Sequence, residues 1–202
     1  AGSGKSLFAA HLFYRVAQGV DDAYGKRVRC GPVIYVCFEG QGGFRRRLQA
    51  LEQAHGSAED FYLVEEPFSL VDPEAADLIE SLIKQAQEIQ PAAIVIDTWA
   101  QATGGDENGS EANSRALAAI NRLRAETGAL VCCIDHTGWG EDAQKRPRGW
   151  SGKWAATDTG LRVDGDIKNG DVLIVPERLK DGTDYAPLAF GSERVELGID
   201  QD

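Results

Sequence analysis

Four short, continuous apolar runs divide the first two thirds of the chain. They are PVIYVCF (32–38), FYLV (61–64), AAIVID (92–97) and ALVCCID (129–135). Most of their residues are β-branched, aromatic or otherwise apolar, with little alternation between apolar and polar positions. A run of this kind is typical of a strand that is covered on both faces of a parallel sheet. The pattern therefore predicts four strands, buried in one core.

Segments with helical spacing of apolar residues lie between these runs. The predicted helices span 5 to about 19, 42–55, about 73–90, and a segment that ends at Gly128. Further on, short runs at 159–164, 171–177 and 186–190 are separated by NG and DG turns, which predicts strands joined by hairpins. The alternation followed by hairpins predicts an α/β fold, with a mostly parallel central sheet flanked by helices and extended by antiparallel strands at its C-terminal edge.

Composition fits one globular domain over residues 1–202. Of these residues, 43% are hydrophobic and 26% are charged. No apolar run approaches the roughly 20 residues that span a bilayer, no secretory leader is visible at the start, and the cysteines form no CxxC pair. We therefore expect a cytoplasmic protein with no membrane partner. The net charge of −11 indicates that any nucleic acid would meet a local groove rather than a broadly basic surface.

The opening residues AGSGKS carry the end of a phosphate-loop pattern. Its first glycine, and the strand before it, are expected upstream of Ala1; the chain also contains no Met, so the order of motifs carries more weight than their spacing. In such a loop, backbone N–H groups surround phosphate oxygens, the lysine reaches the β- and γ-phosphates, and the serine hydroxyl binds Mg²⁺. The predicted nucleotide contacts are Gly2, Ser3, Gly4, Lys5, Ser6 and Leu7. Taken alone, the six residues fit a flexible terminus equally well.

Polar residues at the ends of three predicted strands favour the nucleotide site. Asp97 ends one strand, where a carboxylate can hold Mg²⁺ directly or through water. Glu39 follows another and could orient the water that attacks the γ-phosphate, and His136 follows a third and could donate a hydrogen bond to that phosphate. Each residue also fits an ordinary role: Asp97 could start a turn, Glu39 could face solvent at a strand end, and His136 could be a surface or core histidine. Their occurrence at successive strand ends indicates one shared site.

The order of GSGKS, YVCFEG, IVIDTWAQATGGDEN, CCIDHTG and RGWSG resembles the RecA-like ATPase core of plasmid RepA-type hexameric replicative helicases and of related phage and plasmid ATPases. The resemblance covers the chain from Gly2 to about Phe190. It implies a RecA-like P-loop NTPase that binds ATP and Mg²⁺. It also implies that Lys5 and Ser6 bind ATP and Mg²⁺, that Asp97 is the Walker B acid, and that Glu39 is the catalytic carboxylate. The resemblance further implies that His136 stands at the position that senses the γ-phosphate.

The same resemblance implies a homo-oligomeric ring, expected to be a hexamer, that couples ATP hydrolysis to DNA unwinding or translocation. A cation from the neighbouring subunit would complete each site. The stretch PERLKDG (176–182) resembles the KxRxG stretch of ring helicases, with its lysine and arginine exchanged. Arg178 and Lys180 are therefore the candidates for this cation. Single-stranded DNA would meet the loops 104–114 and 137–152. The first is acidic, whereas the second combines cations with stacking rings. The predicted DNA contacts are Lys145, Arg146, Arg148, Trp150 and Lys153.

Two other classes of protein stay open at the level of sequence. A RecA-like regulatory or recombination-associated ATPase without unwinding activity fits the acidic composition and the lack of a basic loop after Asp97. A P-loop phosphotransferase acting on a small molecule would need an arginine-rich lid, and only the run Arg45–Arg47 suits one. Stimulation of ATP hydrolysis by DNA separates the motor from the regulatory protein.

Overall fold

The computed structural model describes residues 3–20, 22–38, 40–65, 69–72, 76–105, 108–136, 149–166, 170–182 and 186–198. The helices in this part of the chain are α1 (Lys5–Ala17), α2 (Gln41–His55), α3 (Ala76–Ile89), α4 (Trp99–Ala102), α5 (Ser110–Thr127) and α6 (Ser151–Ala156). The strands are β1 (Asp22–Ala23), β2 (Lys26–Arg27), β3 (Val33–Cys37), β4 (Phe61–Val64), β5 (Ala93–Asp97), β6 (Leu130–Ile134), β7 (Thr159–Asp166), β8 (Asp171–Leu179) and β9 (Leu188–Gly191).

A four-stranded parallel sheet in the order β4–β3–β5–β6 forms the centre of the fold. β3 and β5 are buried along their whole length, as their unbroken apolar runs predict. The register pairs Cys37 with Asp97 and Asp97 with Ile134. The carboxyl ends of three strands therefore lie side by side, which confirms the predicted α/β fold and brings the strand-end residues to one edge of the sheet.

β6 is more exposed than its sequence predicts. Leu130 is 60% exposed, and Val131, Cys132 and Cys133 are half-buried. β6 is the last strand of the sheet, and among the described residues only β5 pairs with it. The prediction of a fully buried fourth strand is therefore wrong, because an apolar run alone does not distinguish a central strand from an edge strand.

Helices cover both faces of this sheet. Side chains alternate along β3, so that Ile34 and Val36 face one layer while Val33 and Tyr35 face the other. The first layer contains α3, α4 and α5, and the second contains α1 and α2. This arrangement places the N-terminus of α1 at the edge where β5 ends.

The antiparallel strands that follow form a sheet of their own in the order β7–β8–β9. The hairpins are therefore as predicted, and within the described residues no ladder joins them to β6. The sequence did not predict the small β1–β2 hairpin, α4 or α6, and α5 begins at Ser110, inside the segment 104–114 that was expected to be a loop. An acidic residue in the first turn, Glu111, favours this earlier start through the helix dipole.

Across the described ranges, none of the helices combines the length and the apolar character that crossing a bilayer requires.

Candidate nucleotide-binding site

The start of α1 provides a cluster of backbone donors. The helix begins at Lys5, directly after Gly4, whose φ of 87° is left-handed and is accessible to glycine without strain. The first N–H groups of an α-helix have no partner within the helix, and the positive end of the helix dipole lies there. Ser3, Ser6 and Leu7 lie around the same helix start. This geometry suits a phosphate group; Gly2 lies outside the described residues.

Ser6 and Asp97, which are 91 positions apart in sequence, meet at the edge of the sheet. The Ser6 hydroxyl donates a hydrogen bond to Oδ1 of Asp97 at 3.1 Å. Asp97 is the last residue of β5 and is only 4% exposed. A hydroxyl oxygen and a carboxylate oxygen are the hard ligands that Mg²⁺ takes in proteins. The pair therefore fits a Mg²⁺ ion held by Ser6, with Asp97 binding directly or through water.

Tyr35 is a residue of this site that the sequence analysis missed. Its hydroxyl donates a 2.8 Å hydrogen bond to Oδ2 of Asp97 from the neighbouring strand β3. Burial and the adjacent Asp97 carboxylate raise the pKa of Tyr35 far above its usual range, so the phenol stays protonated and can only donate to the carboxylate. Tyr35 therefore fixes the orientation of Asp97. The sequence feature that could have identified Tyr35 is a single tyrosine within a predicted buried strand of mostly aliphatic residues.

Lys5 lies close to two carboxylates. Burial lowers the pKa of Lys5, and the charges of Asp135 and Asp97 act against that shift. Its Nζ also donates a 3.2 Å hydrogen bond to the Ser3 hydroxyl. The lysine ammonium is therefore available at the edge where β5 and β6 end. Asp135 is the first residue after β6, and the sequence analysis selected its neighbour His136 as a site residue but not Asp135.

His136 reaches the border of the same site. The residue is half-buried, and its backbone N–H donates a 2.7 Å hydrogen bond to Oδ1 of Asp135. His136, Asp135 and Lys5 all line a cleft of about 520 Å³ that runs along the open edge of β6. The structure therefore brings Lys5, Ser6 and Asp97 together, and it places His136 in the lining of a cleft that Lys5 also lines. Glu39 lies outside the described residues.

Lys153 is placed differently from its predicted role. The side chain, on α6, is 6% exposed, and its Nζ lies 2.5 Å from Oδ2 of Asp135 and 5.8 Å from the centre of the Trp99 ring. An ammonium that is already paired inside the protein is not presented to a DNA strand outside it. The predicted DNA contact of Lys153 is therefore corrected to a buried ion pair that holds α6 against the end of β6.

The remaining predicted DNA contacts are only partly described. Trp150 is half-buried, and its ring lies against the start of α6, since a Cβ atom at Gly152 would come within 2.2 Å of it. Lys145, Arg146 and Arg148 lie outside the described residues, so their contact with DNA stays a prediction.

The two candidate cations for a neighbouring subunit contact their own chain. Arg178 donates a 3.4 Å hydrogen bond to the carbonyl of Ala155, and its guanidinium carbon lies 5.9 Å from the centre of the Trp154 ring. Lys180 is about half exposed and pairs with Asp158 at 3.2 Å. Their action on a neighbouring site stays a prediction.

Replacing Lys153 by methionine is expected to lower the free energy of unfolding by about 3–5 kcal/mol, because it removes one partner of a largely buried ion pair with Asp135. Urea unfolding measures this loss. Lys180→Met is the matched control, since its pair with Asp158 is exposed on both sides and contributes about 0–1 kcal/mol. Equal, small losses in both variants would contradict the role given to Lys153.

Comparison with known proteins agrees with the fold. Residues 1–142 match the family described as AAA domain (AAA_25). The crystal structure of the RadB recombinase is similar with a TM-score of 0.63 and 21% identity, over 94% of this chain and 82% of RadB. A KaiC-like protein, PH0186 from Pyrococcus horikoshii OT3, gives a TM-score of 0.64 and 15% identity, over 96% of this chain and 81% of that protein.

At these identities the two structures show the fold alone, which is RecA-like. No curated protein sequence matches the chain. The family match covers more than half of the chain and includes Lys5, Ser6 and Asp97. The chain therefore belongs to the AAA domain family and is a P-loop NTPase domain with a RecA-like fold.

Proposed function

We propose that the protein is a Mg²⁺-dependent ATPase that forms a ring and moves on single-stranded DNA, in plasmid, phage or mobile-element replication. The observation that supports ATP hydrolysis most strongly is the contact between Ser6 and Asp97 at 3.1 Å, at the edge where α1 begins. A phosphate-loop serine and a strand-end acid that meet across 91 positions are the arrangement that a nucleotide with its metal ion needs.

Each residue of the proposed site has a separate role in hydrolysis. Backbone N–H groups at the start of α1 and the ammonium of Lys5 bind the phosphate oxygens. Mg²⁺, when bound by Ser6 and Asp97, supplies positive charge that offsets the charge on the transferred phosphate. Tyr35 keeps the Asp97 carboxylate in one orientation. Glu39 orients the attacking water, and His136 donates a hydrogen bond to the γ-phosphate.

The motor activity rests on the resemblance of the ordered motifs to RepA-type helicases. In this proposal the subunits form a hexameric ring, and Arg178 or Lys180 supplies positive charge to the site of the next subunit. Single-stranded DNA contacts the segment 137–152 through its cations and a stacking ring. The residues proposed for that contact are Lys145, Arg146, Arg148 and Trp150.

A regulatory or recombination-associated ATPase without unwinding activity is the second candidate. The net charge of −11 and the similarity of the fold to a RadB recombinase and to a KaiC-like protein favour it. A phosphotransferase has less support, because Arg45 of the only arginine run is held in an ion pair with Glu65.

The rate of ATP hydrolysis, measured with and without single-stranded DNA and beside the mass in solution, separates these candidates. The motor is expected to show strong stimulation by DNA together with the mass of a ring. Hydrolysis that DNA leaves unchanged, in a monomer or dimer, would exclude the motor and favour the regulatory ATPase.

A further inference from the structure

Two histidine rings face each other between α1 and α2, on a part of the structure that the proposed ATPase does not use. The Nε2 atom of His11 lies 3.0 Å from the Nε2 atom of His55. His11 is in the middle of α1, and His55 is the last residue of α2. Only one of two neutral rings can donate in an N–H···N contact, so at least one lone pair points into the space between the rings.

Tyr24 orients the first of these rings. Its hydroxyl forms a hydrogen bond with Nδ1 of His11. Burial raises the pKa of Tyr24 to about 12, so the hydroxyl stays protonated, and the ring also stacks with Phe8 at 5.8 Å and contacts Phe190 edge-on at 4.5 Å. When the hydroxyl accepts the proton of Nδ1–H, Nε2 of His11 carries the lone pair. Metal-binding histidines are commonly oriented by such a partner on the other ring nitrogen.

The backbone around His55 is fixed to α1 by bonds that do not involve either ring. The Gln18 side-chain amide donates to the His55 carbonyl at 2.8 Å, and the Tyr14 hydroxyl donates to the Gly56 carbonyl at 2.8 Å. Because these bonds already hold the end of α2 in place, a ligand that needs both rings does not have to bring the helices together. The two nitrogens are therefore pre-organised.

We propose that His11 and His55 form a binding site for a divalent transition metal ion such as Zn²⁺, with both Nε2 atoms as ligands. At a Zn–N distance of about 2.0–2.1 Å, tetrahedral geometry separates two ligand nitrogens by about 3.3 Å, which is close to the observed 3.0 Å. Imidazole pairs favour Zn²⁺, Cu²⁺ and Ni²⁺, whereas Mg²⁺ takes oxygen ligands. The site is therefore chemically distinct from the pair formed by Ser6 and Asp97.

The number of protein ligands defines the kind of site. In the described part of the chain no group of three or more His, Cys, Asp and Glu side chains is arranged to hold an ion. Water therefore completes the coordination, and the ion exchanges readily with solution.

Titration of Zn²⁺ into the nucleotide-free protein, with Mg²⁺ in excess to fill oxygen sites, tests this proposal by calorimetry. The unaltered chain is expected to bind one Zn²⁺ ion. His55→Asn changes an exposed residue and is expected to weaken binding at least tenfold, while Tyr24→Phe keeps the ring packing and is expected to weaken it about 10- to 100-fold.

His136→Asn is the matched control and is expected to leave Zn²⁺ binding unchanged, because His136 follows β6 beside Asp135 and is not part of the pair formed by His11 and His55. Absence of Zn²⁺ binding by the unaltered chain would overturn the proposal. Binding that stays equally tight in His55→Asn would also overturn it, since the ion would then occupy another site. The test uses no nucleotide, so its outcome is independent of the proposed ATPase activity.

Discussion

Lys5→Ala is expected to lower the rate of ATP hydrolysis by about 100- to 1,000-fold, the loss typical for removing one group that stabilises developing charge in a water-poor site. The Lys5 ammonium is partly buried and lies near Asp135 and Asp97, so no solvent cation can easily take its place. Because the proposed contact of the lysine with the phosphates exists before as well as during the reaction, the affinity for ATP is expected to fall as well. Phosphate release at several ATP concentrations measures both effects.

The matched control for this variant is Lys84→Ala. Lys84 is exposed on α3, in the helical layer opposite α1, and its replacement removes the same charge from the protein surface. Hydrolysis by Lys84→Ala is expected to equal that of the unaltered chain. A Lys5→Ala variant that retains most of the activity would contradict the assignment of the phosphate site.

Glu39→Gln is expected to keep ATP binding and to lose about 100-fold or more in turnover. The amide has nearly the same size as the carboxylate but cannot accept a proton from water, and general bases contribute about 10²- to 10⁴-fold to rates. Glu39 follows β3, whose last residue Cys37 pairs with Asp97 in the sheet register. Equilibrium binding of ATP and the hydrolysis rate, measured on the same preparation, separate the two effects.

Glu88→Gln, an exposed substitution on α3, is the control for the loss of one negative charge and is expected to change neither quantity. Normal hydrolysis by Glu39→Gln would show that Glu39 is not the catalytic carboxylate. Loss of ATP binding in that variant would instead assign Glu39 a role in holding the nucleotide.

The elements of the central sheet could be predicted from sequence because burial on both faces leaves a simple pattern. The predicted strands 32–38 and 92–97 differ by at most one residue at each end from β3 (Val33–Cys37) and β5 (Ala93–Asp97). The parallel arrangement then implies that Asp97 and the start of α1 share one edge, as the contact between Ser6 and Asp97 shows. Local pattern and topology together were enough for this part of the site.

The contacts that orient the site could not be predicted in the same way. The hydrogen bond from Tyr35 to Asp97 joins residues 62 positions apart and depends on the register of two strands. Lys153 has the sequence context of a basic surface loop, and only the tertiary structure buries it beside Asp135 and Trp99. Register and burial are properties of the assembled tertiary structure, so a single sequence carries little signal for either.

Calorimetric titration of ATP, once with Mg²⁺ and once with EDTA, tests most directly whether the edge formed by Lys5, Ser6 and Asp97 binds nucleotide. One saturable site per chain is expected, with an affinity that falls clearly when Mg²⁺ is removed and when Asp97 is replaced by asparagine. Absence of saturable binding in the presence of Mg²⁺, or binding that neither EDTA nor Asp97→Asn weakens, would contradict the assignment of this edge as the nucleotide site.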